Sequence, residues 1–234
     1  MKINKFDSKA EAAASAGEAL NNLLLENIKS PILLLVSAGS AFEILEYVGE
    51  KVMSENLTVC MLDDRFSENP EVNNFLQLQK LDFYTLALSK DVNFFGTLPR
   101  PNEKITELAE RFEGNLKNWR KENPNGLIVA TFGMGADGHT AGIFPESDEK
   151  KFANLMKNES WVIGYNVGDK DKYSERVTTT LTFFKEIDFG IGFVCGEDKK
   201  LKFNELQQGG TSVNLLPALS WHSIKNLQIF TDIK

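Results

Sequence analysis

The chain has 234 residues, of which 42% are hydrophobic and 10% are aromatic, and its formal net charge at pH 7 is −7. This size and composition suffice for a substantial core, and we predict a single domain over residues 1–234. An acidic surface repels nucleic acid and anionic lipid, so we expect neither kind of partner, and any anionic ligand needs a local cluster of cations.

The sequence also indicates a cytoplasmic protein. No segment approaches the roughly 20 uninterrupted apolar residues of a membrane-spanning helix, and residues 1–7 contain no apolar signal-peptide core. Cys60 and Cys195 both lie within apolar segments that are typical of strands. We predict that both thiols are reduced, buried and not catalytic.

Amphipathic segments predict three long helices. Ser8 and Glu11 have the spacing of a capping box, at the start of a helix that we expect to end near Ile28. Apolar residues at three- and four-residue intervals predict a second helix from about Ser40 to Glu55 and a third that leads to residue 127. The apolar positions of the third helix are Ile105, Leu108, Phe112, Leu116 and Trp119.

Seven apolar segments are predicted to be strands. They are residues 32–36, 57–62, 127–132, 161–166, 177–181, 189–195 and 227–231. Several are apolar on both faces and helices separate them, which is typical of a parallel sheet that is covered on both sides. The sequence therefore predicts an α/β fold of the Rossmann-like, doubly wound kind, with a largely parallel sheet and helices on both faces.

One of the two histidines, His139, lies in a glycine-rich segment directly after the predicted strand 127–132. This segment, residues 133–145, reads Gly-Met-Gly-Ala-Asp-Gly-His-Thr-Ala-Gly-Ile-Phe-Pro. Glycines at a strand's carboxyl end let the backbone approach a ligand closely, and open α/β sheets place their sites there. Because histidine exchanges protons near neutral pH, we predict that His139 and Asp137 carry the chemistry. The other histidine, His222, is interpreted as structural.

The same segment satisfies the G-x-G-x-x-G pattern of dinucleotide-binding sites through Gly133, Gly135 and Gly138. We reject that interpretation for three reasons. The segment is not at the start of the fold, Asp137 would place a carboxylate among the pyrophosphate-binding amides, and Pro145 leaves little room for the usual crossover helix.

Three other segments offer groups for an anion or a sugar. Ser37-Ala38-Gly39-Ser40 follows a predicted strand, where backbone N–H groups, hydroxyls and a helix start favour phosphate, although a capped strand-to-helix turn explains it equally well. Asp63, Asp64 and Arg65 follow another strand and are suited to a sugar hydroxyl, a proton donor or a phosphate, or are solvated turn charges. Arg176 and Lys199 supply cations, for which surface salt bridges are the alternative.

Together these segments resemble one family, the 6-phosphogluconolactonases, within a wider group that includes the glucosamine-6-phosphate deaminases. The family pattern G-x-G-x-D-G-H-T-A-S-L-F-P differs from residues 133–145 only at Gly142 and Ile143. In two other segments, Ala38 replaces the Gly of the family pattern and Asp64 replaces its Glu. The other matching segments are residues 37–40 (Ser-Gly-Gly-Ser in the family), 63–65 (Asp-Glu-Arg), 74 (Asn), 176–178 (Arg-Ile-Thr), 196–199 (Gly-x-x-Lys) and 232 (Asp).

The resemblance implies hydrolysis of 6-phospho-D-glucono-1,5-lactone in the oxidative pentose phosphate pathway, without metal or cofactor. In such a reaction, neutral His139 takes a proton from the attacking water and then protonates the departing ring oxygen. The resemblance further implies that Asp137 supports the imidazole and that Arg65 holds the substrate or stabilises the oxyanion. The residues assigned to substrate or phosphate binding are Ser37, Gly39, Ser40, Asp63, Arg176 and Lys199.

Two other functions were weighed. A glucosamine-6-phosphate deaminase would share the sheet and the phosphate site, but that family continues after Asp-Gly-His toward Ile-Ala-Phe-Asn-Glu, whereas this chain continues from Thr140 to Pro145 as Thr-Ala-Gly-Ile-Phe-Pro. A non-catalytic sugar-phosphate sensor would carry a DNA-binding segment, and the acidic sequence contains none that we recognise. The lactonase pattern fits better than either, and we expect a monomer or a weak homo-oligomer.

Overall fold

A seven-stranded sheet, parallel throughout, forms the centre of the computed structural model, which describes residues 1–234. Its strands, in spatial order, are β1 (Lys2–Lys5), β10 (Asn226–Thr231), β9 (Phe189–Phe193), β6 (Leu127–Gly133), β2 (Ile32–Val36), β3 (Leu57–Met61) and β5 (Asn93–Phe95). The chain winds outward in one direction through β2, β3 and β5, and in the other through β6, β9 and β10. The topological switch point, where open α/β sheets bind ligands, therefore lies between β2 and β6.

Helices cover both faces of this sheet, as the sequence predicts. In β2, Leu33 and Leu35 contribute to one hydrophobic core and Ile32, Leu34 and Val36 contribute to the other. The first core packs against α4 (Ile105–Glu122), α5 (Glu149–Met156), α6 (Leu181–Phe184) and α7 (Lys200–Gln208). The second core packs against α1 (Lys9–Glu26), α2 (Asn74–Leu78) and α3 (Asp82–Leu88). No helix in the structure has both the length and the apolar character needed to span a membrane.

Two of the predicted strands do not join the central sheet. They are β7 (Val162–Asn166) and β8 (Glu175–Thr179), which form a separate antiparallel sheet with β4 (Asp63–Arg65) in the order β4-β8-β7. The single residue Leu62 links the sheets: its N–H donates to Val36 of β2, and its carbonyl accepts from Thr179 of β8. The segment from Asp63 to Arg65 is thus a strand rather than the predicted loop, and apolar periodicity does not specify which sheet a strand joins.

The structure contains the predicted helices α1 and α4 but not the one predicted for residues 40–55. Ser8 caps α1 by accepting a hydrogen bond from the Glu11 N–H at 3.2 Å. Residues 40–55 instead form two 3₁₀ segments, Gly39–Tyr47 and Glu50–Val52, and Ser40 is not a cap. Gly49, whose N–H donates to the Asn21 side chain of α1, separates the two segments. The predicted inner face is nevertheless buried, at Ile44, Leu45, Val48 and Val52.

Candidate active site

A cavity of about 380 Å³ opens at the carboxyl ends of the central strands, at the switch point between β2 and β6. Loops that follow β2, β3, β6 and β9 line it, and the small sheet closes one side. The structure brings eight of the nine predicted site residues to its wall. They are Ser37, Gly39, Ser40, Asp63, Arg65, His139, Arg176 and Lys199. The ninth, Asp137, lies beside His139 and does not line the cavity.

Asp137 and His139 form a hydrogen-bonded pair. The distance from His139 Nδ1 to Asp137 Oδ1 is 2.6 Å, and the same oxygen accepts from the His139 backbone N–H at 3.1 Å. Burial alone would raise the pKa of Asp137, but the hydrogen bond to the imidazole, the imidazole charge and the backbone N–H together hold it below its usual value. Because an ionised carboxylate can only accept, Nδ1 carries the donated proton, and the neutral ring keeps its lone pair on Nε2.

Packing fixes the plane of the imidazole. The His139 ring stacks on Phe144, with ring centroids 4.6 Å apart and an interplanar angle of 21°. The ring also lies against Gly135, where a Cβ atom would be 2.2 Å from Nδ1. A side chain at residue 135 would therefore displace the pair, so the glycine is required here by close approach rather than by dinucleotide binding. No helix begins after this loop until Glu149, which also disagrees with a dinucleotide fingerprint.

Arg65 is held by a buried polar cluster. Its Nη1 donates to Asn74 Oδ1 at 2.8 Å and to the Val72 carbonyl at 3.3 Å, while its buried Nε has no protein partner. Asp64 is buried behind it and accepts from the Thr97 hydroxyl and from the backbone N–H groups of Arg65, Asn74 and Phe75. Burial raises the pKa of Asp64 to about 7, against the effect of these four hydrogen bonds. Asp64 thus positions Arg65 rather than facing a ligand.

Arg176 is part of a buried charge cluster and not of a surface salt bridge. Its side chain is only 4% exposed, with Nη1 3.6 Å from Asp63 Oδ2 and Nη2 3.1 Å from Asp171 Oδ1. Its guanidinium lies over the Phe144 ring at 5.6 Å, and its buried Nε has no protein partner. Burial raises the pKa of Asp63, and the nearby charges of Arg176, Arg65 and His139 oppose that rise.

The Ser37 hydroxyl and the Lys199 ammonium group, which also line the cavity, differ in whether a protein partner occupies them. Ser37 donates its hydroxyl proton to the Thr131 carbonyl at 2.9 Å, and its N–H donates to Thr131 Oγ1 at 3.0 Å, so this side chain anchors the loop to β6. Lys199 lines the cavity and forms no ion pair with a carboxylate. The turn that presents it is fixed by Asp232, which accepts from the Gly196 N–H at 2.9 Å.

Several contacts of the site were not predicted from the sequence. Phe144 belongs to the predicted loop, but its packing on both His139 and Arg176 has no sequence signal. Asp171 and Thr97 lie in segments without any pattern and reach the site only through tertiary contacts.

The residues interpreted as structural lie outside the cavity. His222 is exposed and does not contact the Asp137–His139 pair. Cys60 and Cys195 are free and buried, and burial raises the pKa of both thiols, that of Cys195 to about 12. No group of three or more His, Cys, Asp or Glu side chains is arranged to hold a metal ion.

Comparison with known proteins assigns the chain to a family. Residues 7–227 match the family model described as glucosamine-6-phosphate isomerases/6-phosphogluconolactonase. A 6-phosphogluconolactonase of Neisseria meningitidis serogroup A is 25% identical over 212 residues, 88% of each chain. Similar folds are found in 6-phosphogluconolactonase structures from Plasmodium vivax (TM-score 0.78, 16% identity, 99% of this chain and 90% of that one) and Shewanella baltica (TM-score 0.75, 17% identity, 99% and 96%). The chain belongs to the glucosamine-6-phosphate isomerase/6-phosphogluconolactonase family.

Proposed function

We propose that this protein hydrolyses 6-phospho-D-glucono-1,5-lactone to 6-phosphogluconate in the oxidative pentose phosphate pathway. The observation that carries the proposal is that His139, hydrogen-bonded to Asp137, lines a cavity that is also lined by Arg65, Arg176 and Lys199. Family membership supports it, and so does the sequence after His139, which matches the lactonase pattern rather than the deaminase one.

In the proposed reaction, His139 is the general base. Its Nε2 takes a proton from water as the water oxygen bonds to the lactone carbonyl carbon, and the imidazolium then gives that proton to the ring oxygen as the ester bond breaks. Asp137 keeps Nδ1 protonated and stabilises the charge that forms on the ring. We assign the stabilisation of the oxyanion to Arg65, because Asn74 and the Val72 carbonyl hold its guanidinium in place by hydrogen bonds.

The phosphate is assigned to the cations that line the cavity, first of all to Lys199. Lys199, unlike Arg176, has no protein carboxylate partner. The first amides of the 3₁₀ segment that begins at Gly39 have no partner within that segment. Arg176 adds a second cation. Asp63 is suited to accept a hydrogen bond from a sugar hydroxyl, since a carboxylate would repel the phosphate itself. Ser37 contributes by anchoring the loop.

A coupled assay tests this function. Freshly generated 6-phosphogluconolactone is supplied to the purified protein, and the appearance of 6-phosphogluconate is followed by its dehydrogenase. Because the lactone also hydrolyses spontaneously, the rate without enzyme is subtracted. Glucosamine-6-phosphate is offered in parallel, with ammonia release as the readout. Ammonia release without lactone hydrolysis would identify a deaminase. If neither compound is turned over but the protein binds a sugar phosphate, the result supports a non-catalytic sensor.

The pH dependence of the reaction follows from the proposed base. We expect kcat/KM to rise with pH through about 6–7, where histidine side chains ordinarily lose a proton. Asp137 should not contribute to the rise of kcat/KM between about pH 6 and 7, because its pKa lies below the usual value and its carboxylate stays ionised there. A profile that is flat across the window, with chemistry rate-limiting, argues for another base.

A further inference from the structure

The backbone on either side of His139 adopts conformations that need external support. Gly138 has φ +85°, and Ala141, a residue with a side chain, has φ +49°. Between Gly133 and Glu149 the chain contains no helix and only one isolated bridge, between Thr140 and Ile143. Side chains disfavour the left-handed region, so such a loop keeps one geometry only where its surroundings hold it there.

The Thr140 hydroxyl is one such support. It is buried, it donates to the Gly133 carbonyl at 2.8 Å, and it accepts from Trp221 Nε1 at 3.1 Å. An indole N–H can only donate, so the hydroxyl must accept from it and must direct its own proton to Gly133. Trp221 therefore orients the hydrogen bond that ties the residue after His139 to the end of β6.

The segment that carries Trp221 also supports the residue before His139. In this segment, Leu216 to Trp221, the Ala218 N–H donates to the Gly138 carbonyl at 3.2 Å. The Leu216 side chain packs against Gly138 so closely that a Cβ there would be 2.2 Å from its Cδ1. The Trp221 ring is fully buried and packs on Phe132 of β6, with centroids 5.5 Å apart. The segment from Leu216 to Trp221 thus contacts both neighbours of His139.

We propose that Trp221 and Thr140 are positioning residues for His139. Neither lines the cavity, so neither touches the substrate. Their hydrogen bond holds the backbone of residues 138–140, and with it the position of His139 Nε2 relative to the lactone carbonyl. The inference rests on the proposed lactonase function and assigns a role in it to residues outside the site.

The test compares two identical substitutions. Trp221→Phe removes the N–H donor and keeps most of the ring, and Trp119→Phe is the matched control, because Trp119 is also buried but donates no hydrogen bond. We expect Trp221→Phe to lower kcat about tenfold with KM changed less than twofold. Misplacing a reacting group by about 1 Å costs roughly a hundredfold in rate, and we expect the loss of one hydrogen bond to displace His139 by less than that. Trp119→Phe should retain the wild-type kcat.

A second pair of variants separates positioning from general loss of packing. Thr140→Ser keeps the hydroxyl and should retain kcat within twofold. Thr140→Val should lower kcat at least as much as Trp221→Phe, because it also removes the hydrogen bond to the Gly133 carbonyl. The double variant Trp221→Phe/Thr140→Val should then lose no more than Thr140→Val alone, since both remove the same hydrogen bond.

The possible failures are distinguishable. If the wild type does not hydrolyse the lactone, the proposed function fails. If the wild type is active and Trp221→Phe matches Trp119→Phe, or the losses from Trp221→Phe and Thr140→Val multiply in the double variant, the positioning role is overturned and the lactonase assignment stands. Should Trp221→Phe fail to fold, equal kcat values for Thr140→Ser and Thr140→Val overturn it.

Discussion

Replacing His139 by Asn is expected to lower kcat by about 10²–10⁴-fold while leaving the binding of 6-phosphogluconate nearly intact. The amide cannot take a proton from water, but the groups assigned to the phosphate remain in place. The expected pattern is therefore a loss confined to turnover. Steady-state kinetics with the phosphorylated lactone and calorimetric titration with the product measure the two effects separately.

The second histidine provides the control. His222 is exposed and lies outside the cavity, so His222→Asn should leave kcat within twofold of the wild type. Near-normal turnover in His139→Asn, after correction for spontaneous hydrolysis, would remove the general base from the mechanism. Another group at the cavity wall, such as Asp63, would then have to activate the water.

The central sheet was predictable because its strands carry their own signal. Residues 32–36 are continuously apolar, and in the structure they are buried by cores on both faces of the sheet. The periodicity of α4 was equally informative: Leu108, Phe112, Leu116 and Trp119 are buried, and only Ile105 is partly exposed. In both cases the pattern reports burial of the element itself, which does not depend on the identity of its neighbours.

Features that depend on partners distant in sequence were not predictable. The edge strands β1 and β5 have only four and three residues, which is too short for an apolar pattern to be recognised. In the small sheet, Arg65 of β4 lies opposite Arg176 of β8, 111 positions later, and Leu62 links this sheet to the central one. Apolar alternation identifies a strand but specifies neither its direction nor its partner.

The candidate site also has features that the sequence predicts and features that it does not. Glycines, a histidine and carboxylates at strand ends indicate a functional edge, and the structure does place these loops around one cavity. The roles assigned to individual residues stay predictions. The contacts that hold the residues, such as Thr97 to Asp64 and Trp221 to Thr140, arise only when segments distant in the chain pack together. Sequence chemistry therefore finds groups that face a ligand more readily than groups that support them.

Removal of Lys199 is expected to reduce kcat/KM for the phosphorylated lactone by about tenfold to more than a hundredfold. A charge-assisted hydrogen bond contributes on the order of 1.5–3 kcal/mol, and 1.36 kcal/mol corresponds to about a factor of ten in rate. The wild type should hydrolyse unphosphorylated gluconolactone slowly, and Lys199→Ala should hydrolyse it at nearly the same rate. Lys200→Ala is the matched control, because that side chain pairs with Glu197 at 3.2 Å and does not line the cavity.

Arg176→Ala should show the same selectivity for the phosphorylated lactone, with an additional loss of stability. Removing the guanidinium leaves Asp63 and Asp171 without their cation, and breaking a buried ion pair costs roughly 3 kcal/mol in the free energy of unfolding. Lys199→Ala leaves no carboxylate unpaired, so it should unfold at the wild-type denaturant concentration. The contrary result is that each folded variant, Lys199→Ala and Arg176→Ala, loses as much activity on the unphosphorylated lactone as on the phosphorylated one. The two cations would then serve the reacting centre, and the phosphate would bind elsewhere in the cavity.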